Sequence, residues 1–217
     1  MLLPELRSEV VRYAKKMYES HLVQATQGNL SSRDPESGLI CVTPSGADYA
    51  SLTAEDIVVV DQYGVVIEGK WRPTVETPLH TTILRQRRDI GCVMHTHSPY
   101  ATAFGVVYQS IPVVLADSAL CLGGEVPIAP YHRSGTAEFA EHIAAILGNG
   151  HAVIWGNHGA MVVGANLAAT FSAAHALEDN AKIYTIARQL GTPVFLPPEE
   201  INALHDFWIQ SYGQKSL

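Results

Sequence analysis

The sequence predicts an α/β fold in one domain, a central mixed or antiparallel sheet with helices on its faces. Three observations predict it. Short β-branched runs bounded by turn residues alternate with amphipathic stretches along the 217 residues. Hydrophobic residues make up 47% and charged residues 16%, enough for a full core. No internal repeat, low-complexity tract or linker divides the chain, so residues 1–217 read as a single domain.

The elements follow in order. Leu6, Val10, Tyr13, Ala14 and Met17 recur at helical spacing after Pro4 and predict a first helix over roughly residues 4–21. Gly28-Asn29 breaks that pattern. Leu39 to Val42 reads as a strand, closed by the turn Pro44-Ser45-Gly46. Thr53 to Asp56 has the form of a capping box on a short turn. Ile57–Val60 and Val65–Ile67 predict a hairpin across Gly64. Pro78 to Arg88 suits a helix, Cys92 to His97 a strand, and Val113 to Leu115 another strand. Thr136 to Leu147 is an amphipathic helix stopped by Gly148. Ala152–Trp155 and Met161–Val163 are strands flanking the turn Asn157-His158-Gly159. Asn166 to Leu190 is a long Ala-rich helix, and a last helix runs from Pro197-Pro198 to Tyr212.

Composition excludes several classes of function. The net charge of −7 with no basic cluster argues against a nucleic-acid surface, and an anionic substrate would be held by local donors. No Gly-rich dinucleotide or P-loop motif is present. Cys41, Cys92 and Cys121 are odd in number and widely spaced, which suggests no disulfide framework and suits a reducing cytoplasm. Met1 to Glu9 reads as neither a signal nor a transit peptide, and no apolar run has the length of a membrane span.

His95-Thr96-His97 ends an apolar strand. A period of two puts both imidazoles on one face, about 6–7 Å apart at Cα, so they can converge on one ion at about 2.0–2.1 Å from each nitrogen. Alone, the pair is equally a polar strand end with two solvated histidines. His158 follows another apolar strand, where an unpaired imidazole is poorly placed, and Gly159 permits a tight backbone path. Three neutral imidazoles with one open position describe a catalytic zinc rather than a structural one. Glu76 precedes the helix near Pro78 and is the candidate acid/base, though a carboxylate there also caps helices.

Gly28-Asn29, Thr43-Pro44-Ser45-Gly46 and Thr74 offer loop amides and hydroxyls suited to a phosphate, and equally to ordinary turns. Tyr212 is a candidate proton donor. His21, His80, His132, His142, His151, His175 and His205 lack an evident partner in sequence and read as structural or surface residues. Trp71, Trp155 and Trp208 read as packing.

The ordered set Gly28-Asn29-Leu30-Ser31, Thr43-Pro44-Ser45-Gly46, Glu76 with His80, His95-x-His97 and Asn157-His158-Gly159 resembles the class II aldolase/adducin family, most closely its L-fuculose-1-phosphate aldolase branch. The resemblance runs from the first helix to Tyr212. It implies a class II aldolase-like three-layer sandwich with a mostly antiparallel sheet of the nine-stranded type. It implies a C4 homotetramer with active sites at subunit interfaces, and a phosphorylated sugar as substrate. His95, His97 and His158 would bind zinc, with manganese or another divalent metal as the alternative, and Glu76 would be both ligand and base. Gly28, Asn29, Thr43, Ser45, Gly46 and Thr74 fall in the phosphate-binding segments, and Tyr212 would work in a neighbouring subunit's site. The implied reaction cleaves a ketose 1-phosphate, such as L-fuculose 1-phosphate, to dihydroxyacetone phosphate and an aldehyde through a metal-stabilised enediolate.

Departures from the family pattern bear on the substrate. Thr74-Val75 stands where two serines are usual, which removes one hydroxyl. Ala116 replaces a second tyrosine, beside Asp117, and Ser134 replaces an aromatic residue. Asp117 is a catalytic candidate because the related L-ribulose-5-phosphate 4-epimerases use an aspartate in this region. Those epimerases tend to carry lysine at Thr43 and aspartate at Glu76, so the aldolase expectation leads. A sugar-acid phosphate decarboxylase is a third enzyme reading. A metal-free, adducin-like scaffold predicts loss of the metal histidines, yet all three are present.

Overall fold

Successive side chains along each strand point to opposite faces, and this splits the interior into two cores separated by one sheet. The computed structural model describes residues 1–211. Pro4–Glu19 (α1) buries Val10, Tyr13, Ala14 and Met17 as its stripe. Asn29–Arg33 (β1) and Ile40–Val42 (β2) follow. Thr53 and Asp56 close the expected capping box over one 3-10 turn, Ala54–Asp56. Val58–Val60 (β3) and Val66–Glu68 (β4) form the hairpin. Next come Thr77–Gln86 (α2), Cys92–Thr96 (β5), Pro99–Val106 (α3), Ala116–Leu122 (α4) and Ile128–Ala129 (β6). Ala137–Leu147 (α5), Ala152–Trp155 (β7), Gly159–Gly164 (β8), Leu167–Leu190 (α6) and Pro198–Ser211 (α7) complete the described residues.

The sheet runs β4-β3-β2-β1-β5-β8-β7-β6, and every neighbouring pair is antiparallel except β6 with β7. That is the mostly antiparallel sheet expected. It has eight strands among the described residues, not the nine that the resemblance implies. Leu30, Cys41, Val59, Met94, Ile154 and Val162 face one core, on the side where α1, α3 and α6 pack. Val42, Val58, Val93, Val153, Trp155 and Met161 face the other, under α2 and α5. Among the described residues no helix is long and apolar enough to cross a membrane.

The structure corrects three expectations. Val113 to Leu115 is not a strand. Asn180, buried in the middle of α6, accepts from the Val114 N–H at 2.9 Å and donates to the Pro112 carbonyl at 2.8 Å, which ties the segment to a helix instead of the sheet. The first helix ends at Glu19, well before Gly28-Asn29, and a strand starts at Asn29. β1 was hidden because only Leu30 among its five residues is apolar. The expected elements also omit α3 and α4, which are only eight and seven residues long. α3 is anchored from outside, by Glu178 of α6, whose carboxylate accepts the Tyr100 and Ala101 N–H groups at 3.0 and 2.9 Å.

Candidate active site

β5 delivers His95 directly and His97 one step past its end, while the turn between β7 and β8 delivers His158. Asn157 holds that turn in the left-handed region at φ 56°. At Gly159 a Cβ would run into the Thr96 carbonyl oxygen and lie 3.0 Å from His95 Cε1, so only glycine lets the hairpin close against β5. The three rings meet as a result. His95 and His97 bring their Nε2 atoms to 2.8 Å, and the ligating nitrogens of all three histidines lie within 4.8 Å of one another. His95 Nδ1 donates to the Ala160 carbonyl at 3.0 Å, which leaves its Nε2 lone pair aimed into the cluster. Trp155 forms a shelf beneath, stacked 4.6 Å from His95 and 4.7 Å from His158.

The donor set fits a divalent cation. Burial pushes His95 down, and it pushes His97 to about 3 with the neighbouring imidazoles adding to the effect, so both rings are neutral, as ligands must be. His158 Nε2 is buried without a hydrogen-bond partner, a costly condition for a polar atom that a cation would remove.

Glu76 stands at the N-cap of α2, but its side chain caps nothing. It turns inward, nearly fully buried. Oε1 lies 3.7 Å from His95 Nε2 and 3.6 Å from His158 Nε2, and Oε2 accepts from Asn29 Nδ2 at 3.0 Å. Burial works against its charge, yet the His95 and His158 rings, the Asn29 amide and His80 together hold the carboxyl well below the usual range.

His80, read from sequence as structural or surface, is wholly buried against this carboxylate. Its Nε2 lies 2.6 Å from Asn29 Oδ1 and its Nδ1 lies 2.7 Å from Ser31 Oγ. Ser31 was not singled out by its chemistry. The signal for both was spacing: His80 stands one helical turn after Glu76, and Ser31 stands two strand positions after Asn29.

Gly28 has φ 72°, and a Cβ there would strike the Val23 side chain and come within 2.6 Å of the His95 carbonyl oxygen. It is the contact that lets β1 enter beside β5. The 43–46 and 72–74 segments are joined by a Pro44–Pro73 bridge and by the Thr74 N–H donating to the Thr43 carbonyl at 3.1 Å. Thr43 Oγ1 accepts from the N–H of Leu30, the residue after Asn29, and Thr74 Oγ1 accepts from the Glu76 N–H at 3.4 Å. Ser45 and Gly46 are exposed at the rim, Gly46 at φ 66°. Asn29, expected in a phosphate segment, has its side-chain amide engaged with Glu76 and His80.

Val75 is exposed, and Gly135 lies over its carbonyl with the Cβ position 3.5 Å away, which brings the loop carrying Ser134 to this edge. Ala116 and Asp117 are exposed in the first turn of α4, which packs chiefly on α6 and α7. Tyr212 lies outside the described residues.

A profile of the class II aldolase and adducin N-terminal domain matches residues 8–185. The chain is 36% identical over 215 residues to a 5-deoxy-D-ribulose 1-phosphate aldolase from Bacillus thuringiensis serovar kurstaki, covering 99% of this chain and 100% of that one. It is 34% identical over 198 residues to the L-fuculose phosphate aldolase of Escherichia coli strain K12, covering 91% of each. A solved structure of an L-fuculose 1-phosphate aldolase superposes with a TM-score of 0.90 at 35% identity, over 94% of this chain and 96% of that one.

Proposed function

The chain belongs to the class II aldolase and adducin family, and from that premise we propose that it is a divalent-metal-dependent aldolase cleaving a ketose 1-phosphate to dihydroxyacetone phosphate and an aldehyde. The observation that carries the reading is the meeting of a buried carboxylate, Glu76, with three clustered imidazoles, within 3.7 Å of two of them.

His95, His97 and His158 would hold the metal, zinc on the strength of an all-imidazole donor set, with manganese or another divalent ion as the alternative. When bound, it would draw electron density from the substrate's carbonyl and neutralise the charge that carbon–carbon cleavage leaves on the ketone half. Cleavage turns a hydroxyl into an aldehyde, so a proton must leave that oxygen, and a proton must also reach the carbon left behind. Glu76 Oε1 is the base and acid for this exchange, since Oε2 is held by Asn29. Ser45 and Gly46, with the Thr43 and Thr74 hydroxyls and the Gly28-Asn29 backbone behind them, receive the phosphate. Tyr212 is assigned to the site of a neighbouring copy in a C4 homotetramer, and Asp117, exposed in the first turn of α4, is the catalytic candidate that the epimerase alternative would use. A cytoplasmic location is part of the same proposal, supported by the phosphorylated substrate it names and by three free cysteines that suit a reducing compartment.

The relatives divide over the sugar, and the full-length likeness to a 5-deoxyribulose 1-phosphate aldolase puts short deoxyketose 1-phosphates beside L-fuculose 1-phosphate as substrates. A coupled assay for dihydroxyacetone phosphate release across a ketose 1-phosphate panel tests the reading, with L-ribulose 5-phosphate epimerisation run in parallel. Release from at least one ketose, abolished in Glu76→Gln, is expected. Epimerisation without cleavage would replace this reading.

A further inference from the structure

Four buried side chains from β1 and α2 form a one-way line of hydrogen bonds that ends on the site. Its order is Ser31, His80, Asn29, Glu76, with heavy-atom distances of 2.7, 2.6 and 3.0 Å. The direction is set at the far end. A carboxylate oxygen only accepts, so Asn29 turns its Nδ2 toward Glu76 Oε2 and its Oδ1 the other way. That oxygen requires a donor, which His80 supplies as Nε2–H. The remaining ring nitrogen, Nδ1, then accepts, and the Ser31 hydroxyl donates to it. Burial pushes His80 down to about 4, consistent with a neutral ring carrying one hydrogen.

We infer that Ser31, His80 and Asn29 are positioning residues that lock one oxygen of Glu76 and leave the other, Oε1, free to face the histidines. The inference rests on Glu76 being the proton-transfer group of the proposed aldolase. A glutamate has three rotatable bonds, and fixing them costs side-chain rotamer freedom. Were the Asn29 amide reversed, its oxygen would face the carboxylate and repel it. His80 prevents this by claiming that oxygen. The line leaves only Oε1 unclaimed, and an apolar residue of similar volume at position 80 would fill the space without setting the amide's orientation. Buried neutral donors in series make a geometric device, since each has one arrangement that satisfies the next.

The test compares His80→Leu with His80→Gln, which keeps an N–H near the Nε2 position. In His80→Leu, kcat falls about 10–100-fold, the range for loss of an outer-shell partner, with KM changed by less than about threefold and metal content intact. His80→Gln recovers to within about tenfold of wild type. Should His80→Leu prove unfolded by circular dichroism, Ser31→Ala takes its place and lowers kcat by about threefold, on the order of a single lost neutral hydrogen bond, at constant KM. A second readout does not depend on activity. Long-range proton–nitrogen correlation spectra of the purified protein, with metal and after chelator treatment, should show His80 as the Nε2–H tautomer in both. An Nδ1–H tautomer, a folded His80→Leu with wild-type kcat, a Gln variant no better than Leu, or an unaffected Ser31→Ala would each overturn the inference. If the wild-type protein releases no dihydroxyacetone phosphate from any ketose, the aldolase reading fails, while the tautomer still decides the hydrogen-bond line.

Discussion

Asn29 and His95 are direct partners across the β1–β5 ladder, and Glu76 reaches both, with Oε2 on the Asn29 amide and Oε1 3.7 Å from His95 Nε2. The sheet register therefore sets the distance between the three-histidine cluster and the Asn29 amide that holds the carboxylate. A slip of one residue in β1 would send Asn29 and Ser31 into the opposite core and bring Leu30 to the site.

His95→Ala would remove one of the three proposed metal-binding imidazoles and empty the space above the Trp155 shelf. Metal bound per chain, measured by elemental analysis, should fall together with activity, by more than about 100-fold in affinity given that even outer-shell losses reach that size. Full metal stoichiometry in the variant would contradict the three-histidine assignment.

Gly28→Ala places a methyl against Val23 and the His95 carbonyl, in a left-handed conformation that alanine tolerates poorly. Strain of about 1–3 kcal/mol is expected. Chemical denaturation should show a lower midpoint, and metal affinity should drop because His95 moves with its backbone. An unaltered midpoint would mean that the β1 entrance is softer than its contacts indicate.

Glu178→Ala leaves the first N–H groups of α3 without the acceptor that α6 provides. A loss of about 1 kcal/mol follows, the size of a helix N-cap. Glu178→Gln, which retains one acceptor oxygen, should lose less. Equal stability of all three proteins in urea would refute the capping role.

Asp56 is held well below the usual carboxylate range by the Thr53 hydroxyl first, then by the Trp71 indole N–H and Lys70. A depressed carboxyl stabilises the fold fully above its unfolded value, near 3.9, and that contribution fades as pH falls toward the lower folded value. Asp56→Asn should therefore be less stable than wild type at pH 7, and the gap should close below about pH 4. Thermal melts across that window check it, and a gap that widens in acid would reverse the sign.

Periodicity carried much of the fold. Ala152–Trp155 was legible residue for residue because four apolar side chains run between turn signals, and α5 was legible within one residue because Gly148 stops it. β1 escaped because its inward residues are Asn29 and Ser31, chosen for the site rather than for the core. The same exception hid His80, whose partners are 49 and 51 residues away in the chain.

The sequence by itself determined the long helices, the strands with continuous apolar runs and the choice of the three histidines as candidates, since these rest on local spacing and on residue chemistry. Only the tertiary structure decided that Val113–Leu115 leaves the sheet for Asn180, that Glu76 faces inward instead of capping α2, and that Ser31, His80 and Asn29 line up behind it. Those outcomes depend on hydrogen bonds between residues dozens of positions apart. A buried polar group must find its partner in space, and the chain's order does not say which one it will be.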